Sequence, residues 1–146
     1  MLDQFKKEVE TLDFIYPEGQ NLSSYEALIL ASIVEKEATP NTKGKVASVL
    51  YNRLRIGMAL QVDATTAYEV GRTPTADEVH QDTPYNTYVR PGLPPTPICS
   101  PGIDAFRAVN TPEETDYLYF YYSTDENGEI QCAFSETYDE HLAAIG

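Results

Sequence analysis

With 146 residues, 42% of them hydrophobic, the chain has the size and composition of a single soluble globular domain with a proper core. Its formal charge of −13 and the absence of any basic block argue against nucleic acid as a partner, and an anionic lipid surface would repel it. No apolar run approaches the roughly 20 residues of a membrane helix. Cys99 and Cys132 lie too far apart for a CxxC motif and His80 and His141 are the only histidines, so a metal site is not expected.

The chain opens without a basic-then-apolar leader and reads as carrying no export signal of its own. Leu2, Phe5, Val9 and Leu12 recur at helical spacing and predict an amphipathic N-terminal helix. Ser23-Ser24-Tyr25-Glu26 is a capping-box pattern that starts the next helix. That helix runs through the apolar stretch Ala27–Val34 and ends near Glu37 to Thr39, because Pro40 disfavours helical backbone before it.

A second helix is expected over Lys43 to Ile56 with Gly57 as its left-handed stop. Shorter helices follow at Asp63 to Tyr68 and Pro74 to Val79, with Asp63 and Thr73 as candidate caps. Six of the ten prolines fall between Pro84 and Pro101, which predicts a long stiffened loop. Ser100-Pro101-Gly102 then launches a helix with Pro101 in its first turn. Tyr117–Ser123 and Glu129–Phe134 read as strands of a hairpin joined across Asp125-Glu126-Asn127-Gly128, and a last helix covers Ser135 to Ile145, capped by Ser135 or Thr137. The class is α+β: one mostly helical domain over residues 1–146, with a β-hairpin or small antiparallel sheet and a long proline-rich loop.

Three places hold candidate chemistry. The loop from Asp82 to Pro101 offers Tyr85, Asn86, Thr87 and Tyr88, flat faces and hydrogen-bonding groups that suit a sugar, although prolines bracing a surface connection explain its composition as well. Glu35 and Glu37 emerge from the buried helix, where apolar surroundings raise a carboxyl pKa and fit it to general acid work. Two residues on a helix point about 200° apart, so one cleft takes at most one of them, and a solvated helix end is the plainer alternative. Gln61, Asp63, Thr65 and Thr66 form the third cluster, after Asn52 and Arg53, with a plain cap and a surface cation as the simpler readings of Asp63 and Arg53.

In order along the chain, Ala31-Ser32-Ile33-Val34-Glu35-Lys36-Glu37, Val46 to Gly57, Leu60-Gln61-x-Asp63 and Tyr85-Asn86-Thr87-Tyr88 resemble the YceG-like family of endolytic murein transglycosylases. Gly92-Leu93-Pro94-Pro95-x-Pro97-Ile98, Pro101-Gly102 and Tyr117-Leu118-Tyr119-Phe120 continue the resemblance. It implies a lytic transglycosylase that cuts MurNAc-GlcNAc bonds within peptidoglycan strands, leaves 1,6-anhydro-MurNAc ends and needs no cofactor. Glu37 is then the single catalytic acid/base, with Asn52, Arg53, Gln61, Asp63, Asn86, Thr87 and Tyr88 binding or supporting the substrate. It also implies a place on the cell-wall side of the bacterial cell membrane, glycan strands as partner with peptidoglycan synthases beside them, and a membrane anchor and LysM-like domain outside this chain. Ala38, Ala64 and Cys132 depart from the Thr, Pro and His common at those positions. A hydrolytic muramidase using Asp63 as second carboxylate and a non-catalytic wall-binding module are the competing readings.

Overall fold

Ser23 sets the start of helix α1 (Ser24–Glu37): its Oγ accepts the Glu26 N–H at 3.1 Å while the Glu26 carboxylate accepts the Ser23 N–H at 3.1 Å. The structure, a computed structural model, describes residues 22–146, so the helix expected at Leu2 to Leu12 lies outside the described residues. From Ala27 to Val34 every position of α1 except Leu28 is buried, because α2, α3 and α4 surround it. Ala38 turns to extended backbone ahead of Pro40 and ends the helix.

Helix α2 (Lys43–Arg55) stops where expected. Gly57 takes φ 73°, the Met58 N–H reaches the Arg53 carbonyl at 2.8 Å and the Gly57 N–H reaches that of Leu54 at 3.3 Å. This pair of bonds is a Schellman stop, and it requires the left-handed residue. Helix α3 (Asp63–Val70) follows, then α4 (Ile103–Asn110), whose Phe106 and Val109 join Leu30, Ile33, Leu50 and Leu60 in the core.

The antiparallel hairpin is β1 (Tyr119–Thr124) with β2 (Ile130–Ser135), in register from Tyr119 opposite Ser135 to Thr124 opposite Ile130. Asp125 builds its turn by accepting the Asn127 and Glu129 N–H groups at 2.8 and 2.9 Å, with Gly128 at φ 81°. Phe120 and Phe134 lean on the helical core, while α5 (Tyr138–Ile145), capped by Thr137, packs on the hairpin alone. The α+β class stands.

Several expectations need correcting. Pro74 to Val79 is not a helix: a single 3-10 turn at Glu78–His80 replaces it, started by reciprocal bonds between Thr75 and Glu78. Asn86 ends the turn from beyond it: its side-chain amide takes the Val79 and Gln81 carbonyls at 3.0 and 2.6 Å, so these are not free to extend a helix past His80. Pro101 is not in the first turn of α4, because Gly102 stands at the cap. Its N–H donates to Glu35 Oε1 at 2.9 Å, and a Cβ added there would press on that oxygen at 3.0 Å. Asp63 is not a cap either; Val62 holds that position and Asp63 begins the first turn. The last helix starts at Tyr138 because Ser135 is still paired in β2, which leaves Thr137 as the cap.

Between His80 and Ile103 the backbone forms neither helix nor strand, as the prolines dictate. Its second half lies against α1, with the Ile98 N–H donating to Ser32 Oγ at 3.0 Å and Pro94, Ile98 and Pro101 buried.

Candidate active site

The two carboxylates at the end of α1 part company as the helical angle requires. Glu35 turns toward α4 and α2, accepting the Gly102 N–H and lying 3.6 Å from Lys43 Nζ. Glu37 turns into a cleft of about 420 Å³. Around it stand Arg53 from α2, Gln61 and Val62 from the entry to α3, Asp63 from its first turn, and Tyr88.

Glu37 is half-buried, and its carboxyl pKa is raised above the ordinary 4.5. Loss of hydration is the largest cause, with the nearby Asp63 charge adding to it. A hydrogen bond from the Ala64 N–H at the start of α3 and the Arg53 guanidinium pull the other way. Desolvation wins, so the group holds a proton more firmly than a solvated glutamate does. The Ala64 bond bears on a departure from the family pattern, since proline there has no N–H to give. Ala64→Pro is therefore expected to raise the Glu37 pKa further and move the alkaline limb of the pH–rate profile to higher pH, measured as kcat/KM against pH.

Arg53 is 5% exposed, and its guanidinium donates to the Leu118 carbonyl at 2.7 Å and to the Leu60 carbonyl. It thus ties the start of the hairpin to the turn before Gln61. Gln61 itself takes φ 56°, the one non-glycine residue among those described with positive φ. That conformation is costly for a residue with a Cβ, and it is held by the Gln61 N–H donating to the Thr87 carbonyl at 3.1 Å. Tyr88 donates its hydroxyl to Asp63 Oδ1 at 2.7 Å; burial, then this bond, hold its pKa far above the ordinary phenol value.

The remaining expected residues stand behind the cleft. Asn52 is 5% exposed and gives its amide to the Thr115 and Tyr117 carbonyls, both at 2.9 Å. Thr87 is 2% exposed and its hydroxyl is engaged with both the N–H and the carbonyl of Val62. Asn86 is fully buried, holding the 78–81 turn with its amide and the Tyr88 N–H with its side-chain oxygen at 3.0 Å. These three side chains place Tyr88, Val62 and the hairpin and do not line the cleft. Asn86→Ala leaves several carbonyls unpaired and should cost about 1–3 kcal/mol in a urea melt.

The proline-rich segment contributes Tyr88 to the cleft, whereas Gly92 to Pro95 line a different groove beside Tyr25 and Leu54. The proline-walled cleft that the composition suggested is therefore not what the fold builds. Three arginines of the region are engaged within the fold: Arg90 is paired with Asp82, Arg55 donates to Asn52 Oδ1, and Arg53 serves the two carbonyls. Sequence reading also missed the far wall, where Tyr119 and Tyr121 of β1 and Tyr138 and His141 of α5 meet the cleft. The tyrosine-rich strand was visible as a strand; nothing local announces that α5 folds back beside it.

Among the described residues no helix is long and apolar enough to cross a membrane, and no group of His, Cys, Asp and Glu is placed to hold a metal ion. Cys99 and Cys132 are free thiols.

A crystal structure of a YceG-like protein from Listeria monocytogenes superposes with a TM-score of 0.77 at 37% identity, over 98% of this chain and 44% of that one. A Bacillus subtilis protein named endolytic murein transglycosylase is 38% identical over 99% of this chain and 40% of its own length. A Streptococcus pneumoniae protein of the same name is 33% identical over 86% of this chain and 24% of its own. The chain thus spans less than half the length of the relatives it matches. The profile of the YceG-like family matches residues 1–146 throughout, and on that match and these likenesses the chain belongs to the YceG-like family.

Proposed function

We propose that this domain is the catalytic part of an endolytic lytic transglycosylase, cutting MurNAc-GlcNAc bonds inside peptidoglycan strands with Glu37 as its single acid/base. The observation that carries the reading is Glu37 itself: a half-buried carboxyl with a raised pKa, in a cleft lined by polar groups and aromatic rings. The names of the relatives support the substrate class.

In this mechanism the protonated Glu37 donates to the glycosidic oxygen as the bond to the MurNAc anomeric carbon breaks. The positive charge at the sugar is met by the substrate's own oxygens. Glu37, now a carboxylate, takes the proton of the MurNAc C6 hydroxyl, whose oxygen closes the 1,6-anhydro ring. Bonds and protons balance without water, so Glu37 ends protonated as it began. Gln61, Asp63 and Tyr88 orient the sugars, and Arg53 holds the floor. Anchoring at the cell membrane, a position on its wall side and contact with peptidoglycan synthases belong to the same proposal.

Asp63 shares the cleft, which makes hydrolysis with a second carboxylate the specific alternative. Mass spectrometry of digested, purified glycan strands separates the two. Anhydro-muramic ends are expected from the unmodified chain and none from Glu37→Gln; reducing ends would overturn the lytic reading. Strand binding with no cleavage by either protein would make the domain a binding module.

A further inference from the structure

The far wall of the cleft is aromatic. His141 stacks on Tyr119 with ring centres 5.1 Å apart and planes inclined by 21°. Tyr138 lies 5.8 Å from Tyr119 and 6.3 Å from His141, and Tyr121 meets His141 edge-on at 6.5 Å. Two elements distant in sequence, β1 and α5, thus converge four rings on one wall. Tyr138 is 57% exposed, a large ring left open to solvent. His141 Nδ1 is buried without a hydrogen-bond partner, and His141 is the cleft-lining residue among the three described with such an atom. An imidazole with unmet hydrogen-bonding capacity beside an open aromatic face has the two chemistries that a pyranose ring offers, an apolar C–H face and a rim of hydroxyls.

A second hollow of about 330 Å³ adjoins the first, sharing Glu37 and Tyr122 with it. Its other walls are Lys36, Ala38, Thr39, Ser123, Thr124 and Ile130, so among the described residues Tyr122 is its only aromatic ring. Sugars on the two sides of Glu37 therefore meet different surfaces.

We propose that Tyr119, Tyr121, Tyr138 and His141 form a saccharide-stacking subsite that holds glycan beyond the cleaved bond on one side only, so that strand length sets how tightly substrate is held. This rests on the reading of the substrate as a glycan strand. Tyr138 and His141 are specificity-determining residues in it and take no part in bond cleavage.

Two measurements on the 146-residue chain test the subsite. In the Glu37→Gln protein titrated with purified, peptide-free glycan strands, the ring proton signals of His141 should shift to saturation by NMR. Those of exposed His80, outside the cleft, serve as the internal reference and should stay. In the otherwise unmodified chain, Tyr138→Ala should raise KM about 2- to 10-fold, the range expected for one stacking contact, for strands that overrun the cleft. It should leave KM for the shortest cleaved strands in place. Leu142→Ala, on the same helix but not lining the cleft, checks that α5 still packs and should leave both KM values unchanged.

Cleavage with unmoved His141 signals, or a Tyr138→Ala effect independent of strand length, overturns the subsite and leaves the proposed reaction standing. Saturable His141 shifts without cleavage by the unmodified chain support the subsite and overturn the reaction. Neither shifts nor cleavage overturns both.

Discussion

Glu37→Gln is expected to lower strand cleavage by roughly 10²- to 10⁴-fold, the range for removing a positioned general acid. The amide keeps the shape of the side chain and cannot donate a proton to the leaving oxygen or take one from the C6 hydroxyl. The same change should make the domain more stable at neutral pH. The native pKa of Glu37 lies above its ordinary 4.5, mainly because of burial, so the folded chain binds that proton more tightly than the unfolded one. Stability from this group is full below pH 4.5 and declines as pH rises through the raised native value. Glutamine has no such loss. A melting series should therefore show Glu37→Gln above the unmodified chain at pH 7. The gap should close near pH 4 and below. A variant that loses activity while losing stability at pH 7 would mean that Glu37 holds the fold, not the chemistry.

Arg53→Met should cost about 2–5 kcal/mol in denaturant unfolding, the largest stability effect expected of any cleft residue. Methionine fills much of the same volume but gives nothing to the Leu60 and Leu118 carbonyls, which are then buried acceptors without donors. Arg53 also lies 5.6 Å from the centre of the Tyr119 ring and lowers the Glu37 pKa by its charge. Its loss should push the Glu37 pKa up as well as loosen the hairpin. Arg53→Lys keeps the charge but not the fork that spans two carbonyls, so it should restore little of the stability. Equal stability in all three proteins would show that the two carbonyls find other donors.

The departures at Ala38 and Cys132 have different weights. Ala38 lines the second hollow beside Glu37. Cys132 faces Tyr122 across the hairpin, and burial raises its thiol pKa first of all. It therefore bears on the cleft through Tyr122, whose hydroxyl is 2.9 Å from Thr42 Oγ1.

By itself the sequence determined the elements whose causes are local. The capping box at Ser23, the stop at Gly57, the proline before which α1 must end and the Asp125–Gly128 turn each act within a few residues, so periodicity and turn chemistry were sufficient. Over 74–79 the pattern predicts a helix, but the reciprocal start bonds are made by Thr75 with Glu78, and Asn86, a partner several residues on that no local pattern reveals, stops the turn by taking the Val79 and Gln81 carbonyls. For Glu37 the residues left Glu35 open beside it, and the family motif made the choice. The fold supplies the physical difference: Gly102 and Lys43 engage Glu35, while Asp63, Tyr88 and Arg53 come round Glu37. Only tertiary structure decided that Asn52, Asn86 and Thr87 spend their polar groups on backbone, and that α5 brings Tyr138 and His141 to a cleft begun a hundred residues earlier. A side chain's role depends on which groups remain unpaired once the chain has closed on itself, and that balance is struck between segments far apart in sequence.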